Sequence, residues 1–408
     1  MLKGPIISTL IQIFGKVVMV LISLVTTSVL TRKLGPGQYG AFTLVGSVFI
    51  LLDSMADFGT KIIGVREAAN ADSVGKRKIF VQMVYLRLMT TLLAFILGVI
   101  LIYNWSGFAL IRTESLIALS MMWFTSLAGS LEIIFQTKMR LDLKVIVDIF
   151  FPLLFLIILF FGFGGEITLF WVFSFYLIAR ILSLGIGFGL VNRFLNLKII
   201  LQKIDWTFIK KLLIESWPMG IYLIVFASYD RAVDSMMIER YLGIKEVAWY
   251  GLAYKIYSNL VQPSYFFVAS IFPMLSSKME GKRKLFMTSL ILITVGVMLV
   301  IPMIYILSPW IINVLAGSGY ELSVGVLRVL LVALFFAYFE HLVGFALISK
   351  GGQKELLSFG LIALIFNVGA NFWAIPRFGI YGAAWVTAIT EGIACILMAF
   401  QLWKQSQK

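Results

Sequence analysis

Seven basic residues (Lys16, Lys61, Arg87, Arg180, Arg231, Lys255 and Arg328) and seven acidic ones (Asp53, Asp57, Glu132, Asp230, Asp234, Glu340 and Glu391) interrupt long apolar runs of the chain. A charge at membrane depth costs roughly 2.5–3.5 kcal/mol on insertion scales, so such residues are expected to face a wet cavity or each other. Their spacing fits that expectation. Asp53, Asp57 and Lys61 stand at i, i+4 and i+8, on one face of a helix. Thr9, Gln12, Lys16, Ser23 and Thr27 form a second polar stripe, Lys255, Asn259 and Gln262 a third, and Glu132, Gln136 and Arg140 a fourth. Together they predict a hydrophilic chamber with both signs of charge available. The competing reading is interhelical ion pairing that only holds a bundle together, most plainly for Arg231 with Asp234 at i, i+3.

The elements that must carry these residues follow from composition. Of 408 residues, 61% are hydrophobic and 13% are charged, where a soluble chain carries about a quarter charged. This excludes a soluble enzyme and predicts an all-α protein that crosses the bilayer repeatedly. Steps of about 20 apolar residues place twelve helices at 7–31, 40–63, 79–103, 114–137, 145–163, 167–190, 212–238, 247–275, 285–307, 324–348, 356–375 and 379–403. One cysteine, Cys395, and one histidine, His341, exclude internal disulfides and multi-histidine metal sites. There is no phosphate-cradling GxxxxGK[ST] loop and no GxGxxG, so no nucleotide or other cofactor is expected.

Basic residues set the orientation. The loops on the side shared by both termini hold 21 lysines and arginines and the opposite loops hold 6, which predicts cytoplasmic termini. The net charge of +14 then marks a surface beside anionic lipid headgroups, and no soluble basic domain is present to bind nucleic acid.

The chain also looks doubled. Arg32-Lys33-Leu34-Gly35 followed by Tyr39-Gly40 is echoed by Arg240-Tyr241-Leu242-Gly243 followed by Tyr250-Gly251, and Phe135 and Lys144 by Phe345 and Lys354. Six spans per half give parallel repeats, predicting two six-helix lobes at 1–190 and 212–408 joined by a basic, amphipathic linker at 191–211. Gly185 and Gly189 form a GxxxG, read as a helix-packing contact. His341 is read as a packing residue, with proton relay as the alternative.

One stretch resembles a known family. Thr31-Arg32-Lys33-Leu34-Gly35-Pro36-Gly37-Gln38-Tyr39-Gly40, then Asp53, Asp57-Phe58-Gly59 and Gly64-Val65-Arg66-Glu67, is similar to the opening of the Wzx-type polysaccharide (O-antigen repeat unit) flippases. Phe378-Gly379-Ile380-Tyr381-Gly382-Ala383-Ala384 with Glu391 resembles their twelfth helix. The resemblance implies the multidrug/oligosaccharidyl-lipid/polysaccharide exporter fold, two lobes in a V around a central cavity. It also implies a bacterial inner-membrane flippase, working as a monomer, whose substrate is a polyprenyl-diphosphate-linked oligosaccharide. Membrane lipids and the polymerase and ligase of the same polysaccharide would be its partners.

On that expectation Lys16, Lys61 and Lys255, with Arg87, Arg180 or Arg328, hold the diphosphate, and Asn259 and Gln262 contact the substrate. Asp53, Asp57, Asp230, Asp234 and Glu391 are candidates for ion coupling. A drug exporter of the same superfamily would favour an acidic chamber. A peptidoglycan-precursor flippase would be expected to have fourteen spans. A membrane glycosyltransferase or polymerase would be expected to carry a larger soluble loop.

Overall fold

The computed structural model describes residues 3–69, 71–138, 140–161, 166–193, 203–277 and 281–407, without the side chains of residues 3–10, Ser73, Asp230 and Ser406. The expected linker therefore lies largely outside the described residues, at 194–202. Among the described residues twelve α-helices make up the fold: α1 (Lys3–Asp57), α2 (Thr60–Ala69), α3 (Ser73–Asn104), α4 (Arg112–Thr137), α5 (Leu141–Phe161), α6 (Leu169–Val191), α7 (Trp206–Ala227), α8 (Val233–Tyr241), α9 (Ile244–Ser276), α10 (Lys282–Ala316), α11 (Leu322–Ser349) and α12 (Gln353–Ser406). No strand occurs among the described residues. In hydrocarbon only a helix satisfies its own backbone within one segment, so a chain this apolar folds this way.

Helices and spans do not correspond one to one. Helices α1 and α12 run 55 and 54 residues, more than twice the roughly 20 that cross a bilayer, and each bends at a glycine in the left-handed region. Gly35 has φ 64° and Gly379 φ 62°, a conformation glycine adopts without the penalty a Cβ brings. Splitting each at its glycine, joining α2 to the second half of α1, and joining α7 to α8 gives the twelve expected spans. Eight stretches among the described residues are long and apolar enough to cross unaided; α9, with its polar stripe, is not one of them. The doubling of the chain is visible in the backbone: Gly243, the counterpart of Gly35, is also a positive-φ turn, at φ 121°.

Two expectations change. The second span, expected unbroken over 40–63, is interrupted between α1 and α2 at Phe58-Gly59, with φ 45° and 75°. Phe58 is the only non-glycine with positive φ among the described residues. Its ring is held against Gly220 of α7, where an added Cβ would sit 2.6 Å from a ring carbon. The GxxxG of α6 makes no contact at either glycine; it is Gly187, between them, that packs, its Cβ position 3.0 Å from Leu131.

The chain divides into two compact units, Met1–Leu34 with Val45–Ala227, and Gly35–Leu44 with Ser228–Lys408. The division is later than the expected 191–211 boundary because α7 packs on α2 and α3. Ile209 and Leu212 of α7 are buried with Ile63 of α2, Met83 and Leu86 of α3 and Ile133 of α4. The boundary falls instead at a π-helical turn, Ser228–Ala232. The short segment 35–44 groups with the second unit through close contacts: Gly40 lies against the Ile244 carbonyl, Gly251 against the Thr43 side chain, and Tyr39 edge-on to Tyr320 at 6.0 Å.

Outside the spans, the start of α7 is fastened to α3. The buried Gln82 amide donates to the Lys203 carbonyl and accepts from the Asp205 N–H, each at 2.9 Å. Lys78 pairs with Asp205 at 2.7 Å and lies 5.2 Å over the Phe208 ring. That hydrogen bond, with the Phe208 N–H, holds the Asp205 carboxyl below the usual carboxylate range.

Candidate functional site

In the first unit the intramembrane charges meet as opposites. Arg87, 2% exposed on α3, ion-pairs with Asp57 at the end of α1, donates to Thr60 Oγ1 at 2.9 Å and to the Ser126 carbonyl at 2.9 Å. Lys61 reaches the same Asp57 at 3.8 Å. Gly129 of α4 makes room for both, since a Cβ there would lie 2.5 Å from the Arg87 guanidinium and 2.8 Å from Lys61 Cε. Further along, Lys144 of α5 bridges Glu132 at 3.0 Å and Asp148 at 2.8 Å, while Gln136 donates to Glu132 at 2.9 Å. Arg140, expected on the same stripe, turns to Asp142 instead. Arg180 stacks 4.0 Å over Phe151, within the field of Asp53 and Asp148, and Asp53 in turn feels Lys61, Arg87 and Arg180. Arg87, expected at the anion site, has its Nε and Nη1 engaged by these groups. Lys16 is exposed, with no ion-pair partner among the described residues.

The second unit keeps like charges together. Arg231, in the π-turn, lies 5.0 Å over the Tyr254 ring with its Nε buried and unbonded. Its charge acts on Lys255, one helix on, and on the buried Tyr39 hydroxyl. No carboxylate pairs with Arg231 or Lys255 among the described residues; the Asp230 side chain lies outside them. Asn259, one turn beyond Lys255, has its Nδ2 buried with no partner, and Gln262 is exposed. Arg328 of α11 is held by neutral acceptors of α10, Ser308 Oγ at 3.0 Å and the Tyr305 carbonyl at 3.3 Å, with its guanidinium 4.5 Å over the Tyr305 ring.

The acids of this unit sit elsewhere. Asp234, expected to pair with Arg231, is fully buried among neutral groups: it accepts from Tyr250 Oη at 2.6 Å, Asn371 Nδ2 at 2.8 Å and Thr387 Oγ1 at 3.3 Å. The π-turn just before Asp234 is what separates it from Arg231, because an extra residue in the turn changes which side chains share a face. Glu340 of α11 has its Oε2 buried with no hydrogen-bond partner among the described residues, and Glu391 stands on α12. His341 is fixed to Ser264 of α9 at 2.5 Å, as a packing residue would be.

The sequence matches the polysaccharide biosynthesis protein family over residues 1–279. The chain belongs to that family. Solved structures of similar fold include a lipid II flippase MurJ in an inward closed conformation, 16% identical with TM-score 0.75 over 97% of this chain and 87% of that one. An inward-facing multidrug resistance MATE transporter of the MOP superfamily is 14% identical, with TM-score 0.77 over 95% of each chain. An outward-facing multidrug resistance MATE transporter of the same superfamily is 17% identical, with TM-score 0.68 over 99% of this chain and 95% of that one. No curated protein matches the sequence. At these identities the likeness is one of fold, and this family member is a multi-pass membrane protein that shares the fold of these structures.

Two features of the site escaped the sequence reading. Arg231 was assigned to Asp234 by helical spacing, and only the π-turn reveals it as a companion of Lys255. Asn371 and Thr387 lie 137 and 153 residues from Asp234, and no periodicity connects them.

Proposed function

We propose that the protein is a flippase that moves polyprenyl-diphosphate-linked oligosaccharide repeat units, of the O-antigen type, from the cytoplasmic to the outer leaflet of the bacterial cytoplasmic membrane by alternating access, with both termini cytoplasmic. The observation that carries this reading is the Arg231–Lys255 pair. Two cations in one another's field, with no carboxylate ion-paired to either among the described residues, make a candidate anion site. A diphosphate supplies two charges where the protein supplies two, and guanidinium and ammonium are the groups that bind phosphate. The tail of such a substrate stays in lipid; the chemistry the protein must provide is for the headgroup.

Asn259 and Gln262 stand one and two turns along α9 from Lys255, on the same face, as donors for phosphate or sugar. Within the first unit, the exposed Lys16, without an ion-pair partner among the described residues, remains a candidate cation for the headgroup. Asp234, buried on α8, and Glu391 on α12 are the groups to carry a coupling ion. Family membership and the fold shared with a lipid II flippase support a lipid-linked sugar over a cationic drug.

Deleting the gene in its native host, where no paralogue substitutes, tests the reading. Loss of surface polysaccharide with complete lipid-linked units stranded on the cytoplasmic leaflet is expected. Truncated units would point to a transferase and complete units already outside to a polymerase or ligase. Unchanged polysaccharide would return the protein to drug export.

A further inference from the structure

Helix α9 carries a proline inside a span. Pro263 has no N–H, so the bond that a regular helix would give the carbonyl four residues back, at Asn259, is missing, and the pyrrolidine ring crowds the same turn. A break of this kind is tolerated in hydrocarbon where neighbouring side chains support the loosened backbone. Two side chains of α11 reach that turn. The Tyr338 hydroxyl donates to the Leu260 carbonyl at 2.8 Å, three residues before the proline. His341 Nδ1 lies 2.5 Å from Oγ of Ser264, the residue directly after it, and that hydroxyl also reaches the Val261 carbonyl at 3.2 Å. Tyr338 and His341 stand at i, i+3 on α11, and Leu260 and Ser264 at i, i+4 on α9. Both bonds therefore belong to one contact between the two helices, and they straddle Pro263.

We propose that Tyr338 and His341 are positioning residues: from α11 they fasten α9 on both sides of Pro263 and so hold Asn259 and Lys255, one and two turns before the break, in the geometry of the anion site.

The seam around these bonds is otherwise apolar. Ser264 and Tyr338 are buried, Tyr265 meets the His341 ring at 5.7 Å and the Phe345 ring at 5.8 Å, and Phe272 meets Phe345 at 5.2 Å. Packing alone would be served by apolar side chains at all three positions, since a buried polar group costs free energy unless it is hydrogen-bonded. The turn on which the three polar side chains converge is the one that contains the proline. The same arrangement recurs toward α10. The carbonyl four residues before Pro309 is that of Tyr305, and it accepts from Arg328 of α11 at 3.3 Å, while Arg328 also donates to Oγ of Ser308, directly before the proline, at 3.0 Å. Helix α11 thus supports one proline break in each of two helices. The α9 break differs in what it carries: Asn259, on the loosened turn, has its Nδ2 enclosed without a hydrogen-bond partner among the described residues, and Lys255 stands one turn earlier. Bending at Pro263 is the motion that would redirect both side chains, and the two bonds from α11 oppose it. That the held geometry serves an anion rests on the flippase reading above; the hold on the break does not.

Amide hydrogen exchange of the full-length protein in lipid vesicles, read by mass spectrometry, tests the hold without any ligand. Exchange across residues 256–268 is expected to be several-fold faster in Tyr338→Phe and in His341→Ala than in the wild type, with the rest of the chain unchanged. His341→Asn, whose amide can stand where Nδ1 stands, is expected to restore it. Exchange that keeps the wild-type rate in Tyr338→Phe and His341→Ala, or that rises over the whole chain alike, would overturn the hold. Calorimetric titration with inorganic pyrophosphate then reads the positioning. Its affinity is expected to fall several-fold in Tyr338→Phe and His341→Ala and to return in His341→Asn. Wild-type affinity in variants whose exchange has quickened would make the contact purely structural and overturn the positioning role. A wild type that binds no pyrophosphate would instead remove the Arg231–Lys255 anion site and the positioning role with it, and the exchange comparison would still decide whether α11 holds the break.

Discussion

Arg87 and Lys61 share Asp57, and Lys144 bridges Glu132 and Asp148, whereas farther along the chain no carboxylate is ion-paired with Arg231 or Lys255 among the described residues, and Asp234 bonds Tyr250, Asn371 and Thr387. The two units carry comparable numbers of intramembrane charges, yet dispose of them in opposite ways. Pairing within the first unit cancels charge locally. Such pairs cost much to break and add little to binding, since a buried ion pair is already satisfied. Segregation in the second unit leaves charge that only a ligand, a proton or an ion can satisfy. The comparison assigns scaffold chemistry to the first unit's network and working chemistry to the second's.

The largest effect should come from breaking the scaffold. Asp57→Ala strands the Arg87 guanidinium in a buried site and should cost about 3–5 kcal/mol, seen as lost folded protein or a sharply lower melting temperature. The double substitution Asp57→Ala with Arg87→Met should recover most of that loss and retain polysaccharide export; failure to export at normal protein levels would move this pair from scaffold to substrate binding. Next, Arg231→Ala and Lys255→Ala should leave the fold intact and lower export tenfold or more, in keeping with the roughly 1.5–3 kcal/mol of a hydrogen bond to a charged group. Normal export from either would dissolve the contrast between the units.

Smaller still, Gly129→Ala should cost about 1–3 kcal/mol by crowding Arg87 and Lys61, read as a shift in thermal midpoint. The smallest effect tests the exposed latch at α7. The Asp205 carboxyl is held low in the folded protein, so its contribution is present above the unfolded carboxylate pKa and fades as pH falls through the folded one. Asp205→Asn should therefore lower the melting temperature slightly at neutral pH and not at all in acid. Equal shifts at both would mean that the Asn side chain disturbs the Gln82 grip rather than a charge.

Much of the fold was legible because hydropathy is a local property. The spans, the two glycine bends at Gly35 and Gly379 and the doubled Arg-x-Leu-Gly turn can all be read along the chain. The break at Phe58-Gly59 was not, because it depends on α7 offering Gly220 as a seat for the ring. At the site, the sequence identified nearly every charged residue but paired them by helical spacing. That rule holds for Asp57 with Lys61, which are i, i+4 neighbours, whereas Asp234 bonds Tyr250, Asn371 and Thr387 on other helices.

From the sequence alone came the solvent this protein lives in, the number of its crossings and the identity of the charges it carries through them, because composition and apolar run length answer to the bilayer without reference to any neighbour. Which charges cancel and which remain was decided by the tertiary structure. Arg87 meets Asp57 across 30 residues, and Asn371 and Thr387 meet Asp234 across 137 and 153. Electrostatic partnership depends on distance in space, and helix packing sets that distance.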